Sequence, residues 1–360
     1  MGRSCYTHLR LEKTIDYYDE ACSFGALYKA LKKCCRNVRW KDSVVGYEAN
    51  GLVNTLKLRE SILNGKYKIS PYQEFTVHEP KERKILAARI VDRQFQRSLC
   101  ESGLYRDITE HLIRDNVACQ TGRGVDDALR RMRVHLMRYY RQHGADGWLL
   151  KCDIHHYFPE TDHAVARAAI NKYVSDKRAA KAVCDVIDSF GGEKGIGLGS
   201  QISQLVELLV LNDLDHFIKE RLRILGYIRY MDDFILIHHD KAYLQECLKQ
   251  IREKVEVLGF ELNHKTQIYP IRQGVRFLQW KFTLTDTGKV LMLMDSAKVT
   301  KQRRRIRKLW AREQAGTVPA GSTKESVRAF LANAKRGDTW KIQQAMKAYY
   351  TEVTGGVIDD

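Results

Sequence analysis

Asp232 and Asp233 stand side by side in a short polar break between two apolar arms, residues 227–230 and 234–238. Side chains alternate faces along a strand, and two like charges held close raise each other's pKa unless a cation compensates. A hard divalent ion such as Mg2+ is one such compensation, because it takes oxygen ligands and often uses a few carboxylates with substrate phosphates in place of a full protein cage. Asp153 ends the candidate strand 148–152, 79 and 80 positions upstream. It supplies a third carboxylate if its strand runs beside the hairpin. Three such groups can hold two metal ions roughly 3.5–4 Å apart, which activates an attacking hydroxyl and stabilises the leaving oxygen in nucleotidyl transfer. Taken alone, an Asp-Asp pair reads first as the closure of a turn, so the chemistry depends on what surrounds it.

The elements that must position these acids can be traced. Residues 148–154 pattern as a buried strand and 227–238 as a tight hairpin around Met231-Asp232-Asp233. Between them Leu205, Leu208 and Leu209, then Phe217, Ile218 and Leu222, recur at helical spacing. Beyond the hairpin Asp240 is an N-cap candidate, Leu244, Cys247, Leu248, Ile251 and Val255 form an apolar stripe, and Gly259 sits where that helix would end. Residues 275–282 and 290–293 predict a further hairpin around Thr285-Asp286-Thr287-Gly288. The first 145 residues read as mainly helical, with extended stretches at 75–78 and 84–90, and residues 286–360 as helical and strongly basic. Short strands separated by amphipathic helices give an α+β fold class with an antiparallel sheet packed on helices.

The 360 residues carry 61 Lys and Arg against 44 Asp and Glu, a formal charge of +17, which favours a polyanionic partner. The positives gather in blocks such as 130–141 and 301–308. Nine cysteines are scattered without a CxxC pair, unlike a zinc site or a disulfide framework, and most are expected to be small buried hydrophobes. No uncharged apolar run approaches the ~18–20 residues of a membrane span, and the N-terminal residues lack the apolar segment of a secretory leader. A cytoplasmic location with no membrane partner is therefore expected. Five prolines and the lack of a low-complexity tract predict lobes that pack without a flexible tether.

Tyr230-Met231-Asp232-Asp233, preceded by Ile228-Arg229 and followed by Phe234-Ile235-Leu236-Ile237, resembles the YxDD hairpin of reverse transcriptases. Lys151-Cys152-Asp153-Ile154-His155-His156-Tyr157-Phe158-Pro159 resembles that family's first palm motif. The likeness puts Asp153 in the metal-ligand position with Ile154 beside it in the metal set. It puts Phe158 in the place of the aromatic that packs under the sugar and rejects a 2′-hydroxyl. Gly195-Ile196-Gly197-Leu198-Gly199-Ser200-Gln201-Ile202-Ser203-Gln204 is similar to the glycine-rich segment opening the helix that supports the templating base and incoming nucleotide. Glycine permits close backbone approach to a ligand, and a helix N-terminus presents free amides. The Gly199-x-x-x-Ser203-Gln204 spacing resembles the form found in diversity-generating retroelements, where group II intron enzymes usually carry Ser-Pro. Gly197 replaces a common proline of those relatives, a departure expected to loosen the turn.

The remaining motifs fall in family order. Glu79-Pro80-Lys81-Glu82-Arg83-Lys84-Ile85 and Asp92-Arg93 resemble the fingers segment whose basic residues meet the nucleotide triphosphate, which needs cationic neutralisation and bidentate donors. Lys81, Arg83, Lys84 and Arg93 are thus expected to bind nucleotide together with Tyr157, Phe158, Gly199, Ser203, Gln204 and Lys265. Lys265 belongs to Leu262-Asn263-His264-Lys265-Thr266, which matches a later palm motif whose lysine approaches the leaving pyrophosphate. Residues 115–124 resemble the stretch that lies against template and contribute Arg123. Phe277-Leu278-Gln279-Trp280 sits at the family's primer-grip hairpin, with Gln279 in place of the usual glycine. With Tyr230, Met231, Lys301, Arg304, Arg305 and Lys308 these complete the expected template and primer contacts. A solvated charge or a core aromatic explains any one of them as well; the order of about seven motifs over residues 30–310 carries the resemblance.

The resemblance implies a right-hand polymerase fold. Residues 1–145 would be an N-terminal extension and fingers, with the first palm helix near its end, residues 146–285 the palm with the catalytic carboxylates, and residues 286–360 a basic helical thumb. It implies an RNA-directed DNA polymerase that uses two Mg2+ ions, Mn2+ being a substitute, with dNTPs, a template RNA and the RNA–DNA hybrid as partners. An A-like duplex is held by backbone and shape, so template choice would rest on RNA structure or on a partner. Diversity-generating enzymes work with a structured template RNA and a small basic accessory protein, and copy adenines with low fidelity. Two alternatives stay open: a retron or phage-defence polymerase with the same chemistry, and a catalytically silent RNA-binding scaffold that kept the fold. Against the retron form, no Asn-Ala-x-x-His is found upstream; against the scaffold, all three carboxylates are present. No HNH-type His/Cys cluster follows residue 285, so an attached nuclease is not expected.

Overall fold

Residues 16–78 and 82–358 are described by the computed structural model, and they divide into two units that the chain enters more than once. Of the described residues, one unit comprises 16–78, 82–114, 154–217 and 252–262, the other 115–153, 218–251 and 263–358.

In the first unit Ser23 caps the helix Phe24–Cys34 by accepting from the Ala26 amide, and the stripe Leu27, Ala30, Leu31 and Cys34 is buried. That helix packs on Ile90–Leu99 and Gly51–Leu63. Strands β1 (Gln73–Val77) and β2 (Arg83–Ala87) form an antiparallel hairpin with Thr76 opposite Lys84. The expected extended stretch beyond Ala87 is shorter than its apolar pattern implied, because Ile90 already opens a helix. Helices His163–Tyr173, Lys177–Asp188 and Gln201–Val210 follow. Asp176 caps the second of these and also accepts from the Tyr17 and Tyr18 amides, which ties the start of the described chain to it.

The second unit is built on a four-stranded antiparallel sheet ordered β4 (Gly226–Tyr230), β5 (Asp233–His238), β3 (Trp148–Asp153), β6 (Gln267–Pro270). Strands β3 and β5 occupy the middle, and their buried positions, Leu149, Leu150 and Cys152 in the one and residues 234–237 in the other, are apolar. Leu129, Met132 and Leu136 of the helix Val125–His143 pack with Leu149, Ile228, Ile235 and Ile237 of the sheet. The same core runs on into a three-stranded sheet, β7 (Val275–Phe277), β8 (Trp280–Leu284) and β9 (Val290–Met294). Residues 275–282, expected as one strand, break at Leu278-Gln279. Both residues have positive φ, 46° and 72°, the signature of a two-residue type I′ turn. The β8–β9 hairpin around residues 285–289 is as expected. Helices Ser296–Gln314, Ser322–Ala334 and Trp340–Thr354 close on Ile306, Val327, Leu331, Met346 and Tyr350.

The helix Lys241–Val257 begins as predicted at Asp240, whose carboxylate accepts from the Ala242 and Tyr243 amides. Leu244, Cys247, Ile251 and Val255 are fully buried and Gly259 has φ +78°. Leu222 is buried but lies past the short helical segment Phe217–Arg221. Every cysteine among the described residues is a free thiol, and Cys22, Cys34, Cys35, Cys100, Cys152 and Cys247 are buried. No helix among the described residues is long and apolar enough to cross a membrane.

Candidate active site

The antiparallel register of β3 and β5 sets Asp153 directly opposite Asp233, at the end where β4 turns into β5. Opposed residues on neighbouring antiparallel strands have Cβ atoms roughly 4.5–5.5 Å apart, so the two carboxylates share one face. Asp232 lies in the turn, after Met231, whose φ of +58° is uncommon for a residue with a side chain. Arg229 holds that turn from beneath. Its side chain is fully buried, and its Nη1 donates to the Met231 carbonyl at 2.9 Å. Its own amide donates to the Asp115 carbonyl at 3.0 Å, and its carbonyl accepts from the Val117 amide at 3.1 Å.

Two further side chains converge on the acids. The Asn263 amide nitrogen donates to Asp153 Oδ2 at 3.0 Å, and the Asn263 backbone N–H donates to the Asp153 carbonyl at 2.7 Å. Lys151 Nζ stands 3.3 Å from Asp233 Oδ2 and donates to the Arg276 carbonyl at 2.7 Å. The other Asp233 oxygen, Oδ1, is buried and meets no hydrogen-bond donor. Burial pushes the Asp233 carboxyl up to about 6; Lys151 opposes the shift, while Asp153 and Asp232 add to it.

A buried carboxylate with one orphaned oxygen and two like-charged neighbours fits a divalent cation as its missing partner, and an all-oxygen donor set suits a hard one. Oxygens of the three aspartates are not all within 4.8 Å of one another. Among the described residues the group that does meet that distance is Asp107, Glu110 and His111 of the first unit. There Asp107 already accepts from the Tyr17 hydroxyl and from the Ser175 amide and hydroxyl, so its carboxylate is partnered within the fold.

In the first unit the Leu86 amide donates to the Leu198 carbonyl at 3.0 Å, fastening the glycine-rich segment to β2. Gly197 does not loosen this segment. A Cβ there would come within 2.4 Å of Phe190 and 2.9 Å of Leu86, so the missing side chain permits close packing. Ser200 caps the helix Gln201–Val210 by accepting from the Ile202 amide, and its hydroxyl donates to Gln96 at 3.0 Å. Gly199 has φ +121°. Ser203 is fully buried with an unpartnered hydroxyl, whereas Gln204 is exposed. Tyr157 is buried, donates to the Glu207 carbonyl at 2.6 Å and packs on Phe260. Phe158 is half-buried, edge-on to Tyr157. Ile154 is buried and bridges to Leu262. Arg83, Lys84 and Arg93 are exposed, with Lys84 paired to Glu74 at 2.7 Å. Lys81, with Glu79 and Pro80, lies outside the described residues.

In the second unit Lys265 is exposed, its amide bonded to the Asn263 side chain. Arg123 donates to the Asn116 carbonyl at 3.1 Å. Tyr230 is half-buried against the core and Met231 is buried, with its sulfur 3.9 Å from that of Cys119. Phe277 and Trp280 are core residues, so the Leu278-Gln279 turn between them is what the hairpin presents. Lys301, Arg304, Arg305 and Lys308 are exposed on a helix whose Gln302 and Ile306 face inward. The positives therefore cover its outer face and do not encircle it.

Lys151, Asn263, Arg229 and Ser200 are absent from the sequence-based candidates. Lys151 had a signal, since residues two apart on a strand share a face and it precedes Asp153 by two. Ser200 had one as well, being a good capping residue before an apolar run.

Residues 80–282, over half of the chain, match the model of a family described as reverse transcriptase (RNA-dependent DNA polymerase). The chain is 24% identical to Protein YkfC of Escherichia coli (strain K12) over 270 residues, 61% of this chain and 69% of that protein. Among solved structures it is similar to a telomerase from Candida albicans in complex with a fragment of telomeric RNA, at 12% identity and a TM-score of 0.49, covering 80% of this chain and 60% of that one. An apo telomerase from Candida tropicalis aligns at 11% identity and a TM-score of 0.48, covering 80% and 63%. The chain thus spans about three fifths of the length of those telomerase chains.

Proposed function

The chain belongs to the reverse transcriptase (RNA-dependent DNA polymerase) family, and on that premise we propose that it makes cDNA from a structured template RNA by two-metal nucleotidyl transfer, as the polymerase of a diversity-generating retroelement. It is an RNA-directed DNA polymerase, and its fold is of the α+β right-hand polymerase class. The observation that carries the reading is the cross-strand pair Asp153 and Asp233 with Asp232 in the adjoining turn and one buried carboxylate oxygen left without a donor.

Asp153, Asp232 and Asp233, with the Ile154 carbonyl, would hold two Mg2+ ions, or Mn2+ in their place, which activate the primer hydroxyl and neutralise the leaving pyrophosphate. Asn263 orients Asp153, and Lys151 compensates charge beside Asp233. Phe158 guards the sugar, and the capped helix at Ser200 with Gly199 and Gln204 supports the nucleotide. Lys81, Arg83, Lys84, Arg93 and Lys265 meet its phosphates. Residues 1–145 serve as extension and fingers, 146–285 as palm and 286–360 as thumb, the last carrying Lys301, Arg304, Arg305 and Lys308 to the RNA–DNA hybrid. The Gly199-x-x-x-Ser203-Gln204 spacing favours the diversity-generating setting, with a small basic accessory protein as partner, over a phage-defence one.

Primer extension on an RNA template with Mg2+ or Mn2+ tests the chemistry. The parent extends with dNTPs, and the double variant Asp232→Ala, Asp233→Ala gives no product above background; equal product from both would overturn the proposal. Sequencing the RNA that co-purifies tests the setting, which requires a single structured template paired with a variable repeat.

A further inference from the structure

A cavity of about 390 Å3 lies in the second unit at the end of β5 away from Asp233, lined there by Ile237, His238 and His239. Along a strand rising roughly 3.3 Å per residue that is on the order of 17 Å from the catalytic carboxylates, so this is a separate place. The helix Val125–His143 forms one wall and residues 219–226 another.

Three cationic side chains, Arg138, Lys219 and Arg223, line the cavity against a single carboxylate, Asp115. That carboxylate is already committed. It is buried and meets His135 Nε2 at 3.0 Å, Arg131 at 3.2 Å and Lys219 at 3.0 Å. Burial alone would raise its pKa, yet His135 and Lys219 hold it well below the usual carboxylate range. Among the described residues neither Arg138 nor Arg223 meets a carboxylate, and Arg223 sits at φ +48°, where a side-chain-bearing residue is uncommon. Two guanidinium groups thus face the cavity with no acid to satisfy them.

A run of rings adjoins them. Tyr139 and His143 lie 5.1 Å apart, His143 and His239 are stacked at 4.6 Å and 17°, His239 and His238 lie at 4.4 Å, and His238 and Tyr243 at 4.8 Å. The three imidazoles do not bring ligand nitrogens within 4.8 Å of one another, which speaks against a metal cage. Burial, with His239 and His143 beside it, lowers the pKa of His238 against the opposing effect of Asp240.

We propose that this cavity binds a nucleotide, with its phosphate on Arg138 and Arg223 and its base against the imidazole and tyrosine rings. Guanidinium forks match phosphate oxygens in pairs. Flat rings accept any base by stacking, which needs no particular sequence. The volume falls at the lower end of small-molecule sites and admits one nucleotide, not a duplex. Its source is either a free mononucleotide or one residue of a single RNA strand, and the probes separate the two.

Equilibrium dialysis of labelled AMP and of a labelled five-residue oligoadenylate against the full chain, in EDTA, tests this away from metal-dependent binding at the aspartates. One saturable site is expected, weakened at least tenfold by Arg138→Gln with Arg223→Gln and by His239→Ala, and unchanged by Asp232→Asn. AMP should compete better than inorganic pyrophosphate. A tighter oligomer identifies an RNA strand as the source, and equal affinities a free nucleotide. Arg138, Arg223 and His239 are exposed, and an unchanged melting temperature confirms that the variants fold. The proposal is overturned by the lack of saturable binding up to about 1 mM, by binding that survives these substitutions, or by pyrophosphate competing as well as AMP.

Discussion

Asn263 grips Asp153 twice, its side-chain amide on Oδ2 at 3.0 Å and its backbone N–H on the carbonyl at 2.7 Å. One oxygen of the carboxylate is thereby fixed by a neutral donor, and the rotamer that a metal ion would meet is set in advance. Groups that orient metal ligands typically matter by roughly 10–100-fold. Asn263→Ala should lower kcat by that order while changing KM for dNTP little. Asn263→Asp places a second negative charge against Asp153 and should move the acid limb of the kcat profile to higher pH. A merely structural Asn263 would leave the pH profile where it was.

Asp233 is held at about 6 in the folded chain against an ordinary 3.8. The folded state therefore binds more protons between those values, and this group adds stability as pH falls from 7 toward 4. Above pH 6 its charged form costs on the order of 2–3 kcal/mol in the metal-free protein. Asp233→Asn should raise the melting temperature in EDTA at pH 7.5 while abolishing primer extension. Added Mg2+ should stabilise the parent more than the variant. Thermal scans at pH 5 and 7.5 check the sign: the gain should shrink at the lower pH, and a gain that grows there refutes it.

Why the carboxylate hairpin can be read from sequence, and its support cannot, follows from particular residues. Apolar arms on both sides of Met231-Asp232-Asp233 admit few structures besides a hairpin, and Asp153 then needs only the register that buries Leu149 and Leu150. Arg229 sits in one of those arms and reads as an exposed strand residue. It is fully buried, and one of its bonds runs to the backbone carbonyl of Met231, which no residue pattern announces. The turn at Leu278-Gln279 lacks the Gly or Asn that marks positive φ, so residues 275–282 read as one strand. Once the turn forms, Phe277 and Trp280 become an opposed pair packed in the core.

Gly197 is a packing glycine, and its test is stability. A Cβ 2.4 Å from Phe190 and 2.9 Å from Leu86 forces one of them to move, and overpacking of this kind costs about 1–3 kcal/mol. Gly197→Ala should lower the urea midpoint accordingly. Gly25→Ala, where a Cβ meets nothing within 4 Å, should not.

Phe158 is half-buried, its carbonyl bonded to the Ile196 amide at 2.9 Å, so trimming the ring leaves its backbone anchored. If the ring closes the sugar pocket, Phe158→Val should raise rNTP incorporation relative to dNTP by roughly tenfold or more. Competing the two substrates in one extension assay reads the ratio directly, and an unchanged ratio removes Phe158 from sugar selection.

The exposed face of the helix Ser296–Gln314 carries Lys301, Arg304, Arg305 and Lys308, while Gln302 and Ile306 are turned inward. Exposed positives this dense repel one another unless phosphates lie nearby. Each phosphate neutralised on binding releases counterions and contributes just under one unit to the slope of log affinity against log salt. Changing all four residues to Gln should therefore flatten that slope for an RNA–DNA hybrid by about two to four units. Their outward placement predicts that folding is untouched, so circular dichroism and the melting temperature should match the parent. A variant with the parental slope would show that the hybrid binds elsewhere and that this face is only solvated.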